Sequence, residues 1–167
     1  MPQMNKGGKF IFGESVIGDD GIVRFPTQAA EEYRIASEGN VYLFTGSKST
    51  GGFCVTRQGL LLPSKLGHIL RETRSLLNYR SPSGVFVPYK GRAYCRTEIS
   101  EDGKIRLTDE MMAFLHLKSG MKLLCIRSSD IAFVLLMLPE LFIFFTQFGE
   151  KYTVYKRGTY KLFPYIF

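Results

Sequence analysis

The chain of 167 residues and 19.0 kDa has the length of one ordinary domain or two very small ones. Its 45% hydrophobic and 22% charged residues lie near globular averages, which excludes wholesale disorder and collagen-like repetition. The 22 Lys and Arg against 15 Asp and Glu give a net charge of +7, which suits nucleic acid, an anionic membrane or an acidic partner without choosing among them.

The first 15 residues carry Lys6, Lys9 and Glu14 and lack an apolar signal core, so no secretory signal is expected. A short apolar strand at Ile17 runs into Asp20-Gly21, a strong turn signal because Gly accepts positive φ cheaply. Alternation in Ile22-Val-Arg-Phe25 predicts a strand. Pro26 and Thr27 mark the start of a helix of one to two turns, with Ala29, Ala30, Tyr33 and Ile35 as its buried face. Gly39 then turns the chain into a second strand, Val41-Tyr-Leu-Phe44. The segment Thr45-Gly-Ser-Lys-Ser-Thr-Gly-Gly52 lacks the GxxxxGK[ST] order of a phosphate loop, so a hairpin connection into a strand over Gly52–Arg57 is expected.

Pro63 or Ser64 opens a helix predicted to run to about Tyr79, with Leu66, Ile69, Leu70, Thr73 and Leu77 as its buried stripe. Lys65, His68, Arg71 and Arg74 fall on its other side, three apart, as a basic ridge. Such a ridge suits a phosphate backbone, and a solvated helix face has the same pattern. Ser81-Pro-Ser-Gly84 breaks the helix, and Gly84–Val87 and Arg92–Arg96 read as strands. Charge concentrates here: residues 48–96 hold nine basic side chains and one acid, Glu72, whereas residues 1–47 hold four basic and six acidic ones. A localised anion-facing surface and a solvated basic face both look like this.

From Ile99 the first pattern returns at a separation of about 82 residues. Ile17-Gly-Asp-Asp-Gly-Ile-Val-Arg-Phe25 is answered by Ile99-Ser-Glu-Asp-Gly-Lys-Ile-Arg-Leu107. Asp20-Gly21 matches Asp102-Gly103, Val23 matches Ile105 and Arg24 matches Arg106. After a one-residue skip, Gly39, Leu43 and Ser47 match Gly120, Leu124 and Ser128. Thr108 is the expected N-cap of the second helix, with Asp109 and Glu110 placed to complement its dipole. Met111, Met112, Leu115 and Leu117 form its buried face, and Lys122–Ile126 the strand after it. A unit of this size cannot bury its apolar face alone, so the two copies are expected to pack together.

This order of turn, strand, helix, Gly and strand resembles the AbrB/SpoVT-type swapped-hairpin repeat, also used by antitoxins of the MazE kind. In that family two copies interleave their hairpins into one β-barrel-like body, normally by dimerisation. The resemblance covers roughly residues 10–47 and 93–135. It implies a pseudo-twofold body built by one polypeptide, and a DNA-binding transcriptional regulator. The family places an Arg or Lys directly after the turn Gly; here that place holds Ile22 in one copy and Lys104 in the other. Two adjacent Arg on the family's helix are replaced by Ala30-Glu31 and Met112-Ala113. Lys104 carries over, and strand alternation puts Arg24 and Arg106 on the face of Ile22 and Lys104.

Signals for catalysis and metals are sparse. Cys54, Cys95 and Cys125 lie on predicted strands as small hydrophobes, too few and scattered for a disulfide scaffold, and their odd number suits a reduced compartment. His68 and His116 are the two histidines, the latter read as a cation at a helix end. Asp19-Asp20 and Glu101-Asp102 are read as turn residues rather than acid–base pairs. Eleven of the 23 Phe and Tyr fall in the last 37 positions. The apolar run from Ile131 to Phe148 reaches the lower length limit of a membrane span, but Pro139-Glu140 sits in its middle. A buried strand or helix followed by a tail is the expectation. A membrane span is the alternative, and the abrupt change of composition near Leu135 also fits an altered reading frame.

The expected fold is an α+β domain over residues 1–135: a swapped-hairpin AbrB-like β-barrel with repeat one at about 10–47, a basic helical insert at 48–92 and repeat two at about 93–135. An apolar, aromatic tail follows at 136–167. The expected function is DNA-binding transcription regulation in the cytoplasm, with Lys104, Arg106, Arg24, Arg71 and Arg74 as the DNA contacts. The alternative is a non-DNA interaction module, antitoxin-like or regulatory, on the same fold. DNA is the expected partner, a homodimer or a protein partner the alternatives, and a membrane is not expected. No catalytic activity, cofactor or metal is expected.

Overall fold

The computed structural model describes residues 10–45, 52–137, 155–156 and 161–162. Its elements are β1 (Ile11–Val16), β2 (Ile22–Arg24), α1 (Thr27–Tyr33), β3 (Asn40–Thr45), β4 (Phe53–Thr56), α2 (Gln58–Leu61), α3 (His68–Glu72), a 3₁₀ turn (Leu77–Tyr79), β5 (Val87–Tyr89), β6 (Arg92–Glu98), β7 (Lys104–Arg106), α4 (Asp109–Leu115), β8 (Lys122–Arg127) and β9 (Phe133–Met137). Strands β10 (Tyr155–Lys156) and β11 (Lys161–Leu162) pair with each other. The protein is α+β, with a mostly antiparallel sheet and short helices.

Seven strands form one antiparallel sheet in the order β1-β8-β9-β4-β3-β6-β5, and β2 pairs with β7 in a separate two-stranded ribbon. The large sheet is open, with β1 and β5 at its edges, so the expected closure into a barrel is not found among the described residues. The chain leaves the sheet at each Asp-Gly turn, because β2 and β7 pair with each other rather than continuing the ladder.

Strand alternation divides the interior in two. Val41, Leu43 and Cys95 turn to one face of the sheet, where Val23 and Ile105 of the ribbon, Ala29 and Tyr33 of α1, and Met111 and Leu115 of α4 complete the main core. Tyr42 and Tyr94 turn to the other face and pack with Leu61, Ile69, Leu70 and Leu76 of the segment between β4 and β5. The ribbon and this insert therefore sit on opposite faces of the sheet.

The helix ends follow local chemistry. Thr108 caps α4, its Oγ1 accepting from Met111 N at 3.2 Å, with Asp109 and Glu110 in the first turn. Pro26 precedes α1, whose φ of −53° suits the entry. Both helices end on a left-handed residue, Arg34 and His116.

The single helix expected from residue 63 to 79 is not formed. One short helix, α3, and the 3₁₀ turn stand in its place, so Lys65, His68, Arg71 and Arg74 do not form one helical ridge. The chain folds back at Gly67, where an added Cβ would lie 2.0 Å from Leu62 O, a close approach that glycine alone permits. Asn78 and Tyr79 have positive φ. They are held there by tertiary bonds: Asn78 N donates to Gln58 Oε1 at 2.6 Å, and Tyr79 Oη to Glu38 Oε1 at 2.7 Å. Of the predicted stripe, Ile69 and Leu70 are buried, but Leu66 is 44% exposed and Leu76 takes a core place instead.

Glu38 ties the insert to the end of α1. Its Oε2 accepts from Arg57 Nη1 at 2.7 Å and Gly59 N at 2.9 Å, while Arg57 Nε donates to Tyr33 O at 2.9 Å. Burial alone would raise the Glu38 carboxyl, but the bonds from Arg57, Tyr79 and Gly59 outweigh it and hold it below the usual carboxylate range. The beginning of the apolar run is a strand, β9, at the centre of the sheet. Leu138 to Phe148, with Pro139-Glu140, lies outside the described residues. No described helix is long and apolar enough to cross a membrane.

Candidate nucleic-acid interface

The ribbon is set by two turns that share a backbone pattern. Gly18 N donates to Ile22 O and Gly21 N to Gly18 O; Ser100 N donates to Lys104 O and Gly103 N to Ser100 O. Gly21 and Gly103 hold φ of +80° and +81°, conformations that L side chains rarely adopt. Across the ribbon, Phe25 N donates to Gly103 O at 2.9 Å and Leu107 N to Gly21 O at 2.8 Å. These bonds fix the register Ile22↔Arg106, Val23↔Ile105, Arg24↔Lys104.

Register decides which side chains meet. Val23 and Ile105 are buried, so Ile22, Arg24, Lys104 and Arg106 all turn to the outer face. Arg24 stands directly opposite Lys104, a like-charge pair that costs stability in an antiparallel ladder. The expected common face of Arg24, Lys104 and Arg106 is present, and all three are exposed.

One residue difference between the turns changes the electrostatics. In the first turn Asp20 Oδ1 accepts from Ile22 N at 3.1 Å. In the second, Ser100 stands where the first has Gly18, and its hydroxyl accepts from Lys104 N at 3.0 Å. Asp102 is thereby released from that backbone role. It accepts from Ser100 Oγ and lies 3.2 Å from Lys104 Nζ, and these two partners hold its carboxyl below the usual range. Arg24 and Arg106 make no ion pair or side-chain hydrogen bond among the described residues.

Beside β7 an open cleft of about 490 Å³ is lined by Ile22, Glu98, Ile99, Ser100, Asp102, Lys104, Ile105 and Arg106. Glu98 and Ser100 belong to no motif in the sequence, where the contrast of Gly18 with Ser100 is the available signal.

Arg71 and Arg74 are exposed but do not join this face. They belong to the insert, on the far side of the sheet. Arg71 lies at the end of α3 and Arg74 in the turn after it; the one hydrogen bond of either side chain among the described residues runs from Arg71 Nη1 to Leu62 O at 3.5 Å. His68, expected on the ridge, meets Tyr89 Oη through Nδ1 at 2.8 Å, and Tyr89 donates to Glu72.

The thiols are placed for packing. Cys54, Cys95 and Cys125 are buried on β4, β6 and β8, none of them in a disulfide among the described residues. Burial pushes the Cys95 thiol up to about 12 and raises Cys125 as well, so neither offers a thiolate near neutral pH. Among the described residues no three His, Cys, Asp or Glu side chains converge in a metal-binding arrangement.

No protein-family model and no curated protein matches this chain.

Proposed function

We propose that this chain is a DNA-binding regulator of the AbrB/SpoVT swapped-hairpin type, with both repeats supplied by one polypeptide. Several pairings support the repeat reading. Exchanging β1 with β6, β3 with β8 and β4 with β9 turns the order β1-β8-β9-β4-β3-β6 into its own reverse. The ribbon bonds are reciprocal about Val23↔Ile105, and the two helices of seven residues end alike in left-handed caps.

The observation that carries the DNA reading is the outer ribbon face. Three cations share it, two of them directly opposite each other, and Arg24 and Arg106 lack a carboxylate partner among the described residues. An anion bridging that face relieves the repulsion of Arg24 and Lys104, and a phosphate backbone supplies such anions in series. Arg71 and Arg74 form a separate basic surface and take a minor part at most. Residue identity still differs from the family pattern at Ile22, and the function is regulatory rather than catalytic. A cytoplasmic location follows from that role.

Titration of labelled duplex DNA at 50 and 200 mM salt tests this reading. For three phosphate contacts the affinity should fall roughly 40-fold between the two. Absence of binding at the lower salt overturns it. The second reading is a protein-interaction module on the same fold. It is favoured by Glu98 and Asp102, whose charges offset Lys104 and Arg106 in the cleft.

A further inference from the structure

Both outer strands of the repeat pair, β1 and β6, run along the sheet in the same hydrogen-bonding phase. Ile17 N donates to Met121 O and Ile99 N to Gly39 O. With the registers Ser15↔Leu123 and Thr97↔Val41, odd-numbered residues turn their peptide groups toward the neighbour, on β1 from Gly13 onward, past a register shift between Ile11 and Gly13. Even-numbered residues turn theirs outward: Glu14 and Val16 on β1, Tyr94, Arg96 and Glu98 on β6.

On β6 that outward edge is covered. β5 pairs with it through Val87↔Tyr94 and Tyr89↔Arg92, and Gly84 N donates to Arg96 O at 2.9 Å. The covering segment is anchored by Phe86, which stacks on Phe114 of α4 at 4.1 Å. On β1 no described segment does the same along its regular stretch, Gly13 to Val16. Val16 is 51% exposed, and Glu14, which corresponds to Arg96, is exposed and unpaired among the described residues. Among the described residues the outward N–H and C=O groups of Glu14 and Val16 pair with no other strand, and such an edge is a template for one.

The chemistry around β1 differs from that around β6. Where α4 offers Phe114, α1 has Glu32, and between Ile11 and Tyr33 the acids Glu14, Asp19, Asp20, Glu31 and Glu32 outnumber Arg24 together with Lys122, which lies across the ladder from Val16. Arg127 engages Glu32 in a two-pronged pair at 2.9 and 2.5 Å, which leaves the other acids uncompensated by it.

We infer that the open edge of β1 is a strand-addition site that takes an extended, basic peptide segment of another protein at Glu14 and Val16. Main-chain bonds to the outward peptide groups supply the affinity, and Lys or Arg side chains beside Glu14 and the Asp19-Asp20 turn supply the selection. The correspondence of the two edges rests on the repeat reading above, but the site does not require DNA binding.

The test pans a displayed library of random short peptides against the full chain and then measures the enriched peptides by fluorescence polarisation. Enriched sequences should alternate basic with apolar residues. Binding should weaken about tenfold with Glu14→Lys and at least as much with Val16→Pro, which removes an outward N–H that the native ladder does not use. Glu110→Lys, on α4, should leave it unchanged. The Val16 amide should gain protection from hydrogen exchange when peptide is added. No enriched peptide, or peptides indifferent to both β1 substitutions, overturns the inference and leaves the DNA reading standing. Loss of DNA binding with peptide binding intact does the reverse.

Discussion

Between Phe53 and Arg96 three of the eight cations are engaged by acceptors of the fold, whereas Arg24 and Arg106 on the β2/β7 ribbon stand outward without one among the described residues. Arg57 is held by Glu38 and by Tyr33 O; Arg92 donates to Thr45 O; Arg96 donates to Ser81 O and Asn40 Oδ1. These guanidinium groups lock the insert and β6 to the sheet. Arg24 and Arg106, on the ribbon, hold no acceptor among the described residues. Net charge by segment therefore overstates what the insert offers to an anion, although Lys65, Arg71, Arg74, Arg80 and Lys90 remain exposed there. An arginine that satisfies a backbone carbonyl inside the fold is poorly placed to neutralise a phosphate as well.

Substitutions can break this contrast from either side. The largest effect is expected from Arg24→Ala, Lys104→Ala and Arg106→Ala combined: duplex affinity at low salt should fall roughly 100-fold. Stability in urea should change by no more than about 0.5 kcal/mol, because all three side chains are exposed. A large loss of stability would show that the ribbon cations are structural.

Arg57→Ala should do the opposite. It leaves the largely buried Glu38 carboxylate short of its cation and should cost about 2 kcal/mol in urea unfolding with little change in DNA affinity. The same network predicts a pH dependence. The Glu38 carboxyl titrates lower in the folded protein than in the unfolded chain, so its stabilisation is complete above the ordinary carboxylate pKa and is lost as pH falls through the lowered folded value. Glu38→Gln should flatten the fall in unfolding free energy on the acid side of that window. An unchanged profile would remove Glu38 as its source. The smallest effect is expected from Arg71→Glu with Arg74→Glu, which should alter duplex affinity less than about threefold at physiological salt, where charges beyond a Debye length are screened. A larger loss would bring the insert back into the interface.

Much of this arrangement is legible in the chain. Asp-Gly at residues 20–21 and 102–103 marks both turns, Thr108 marks a helix start, and the alternation around Val23 and Ile105 assigns Arg24, Lys104 and Arg106 to one face. These signals are local, and local chemistry decides them. The insert shows where that stops. Its residues 66–77 have helical spacing, yet Gly67 folds back on Leu62, and Tyr42 Oη donates to Leu76 O at 2.6 Å, tying that stretch to the sheet. Both are tertiary contacts with no mark in the spacing. Likewise, nothing in the spacing of Arg57 and Arg96 separates a guanidinium held inside the fold from an outward one. The placement of ribbon and insert on opposite faces depends on which alternate residues of β3 and β6 are covered by which segment, a property of the assembled sheet.

The central claim is that the ribbon face, rather than the more heavily charged insert, meets the phosphate backbone. It is tested most directly by the slope of log affinity against log salt for duplex DNA, measured for the unmodified chain and for the two sets of variants. Removing Arg24, Lys104 and Arg106 should make the slope shallower by about 2.7, and reversing Arg71 and Arg74 by less than about 0.5. An unchanged slope for the ribbon variant, or the larger change for the insert variant, would contradict the account.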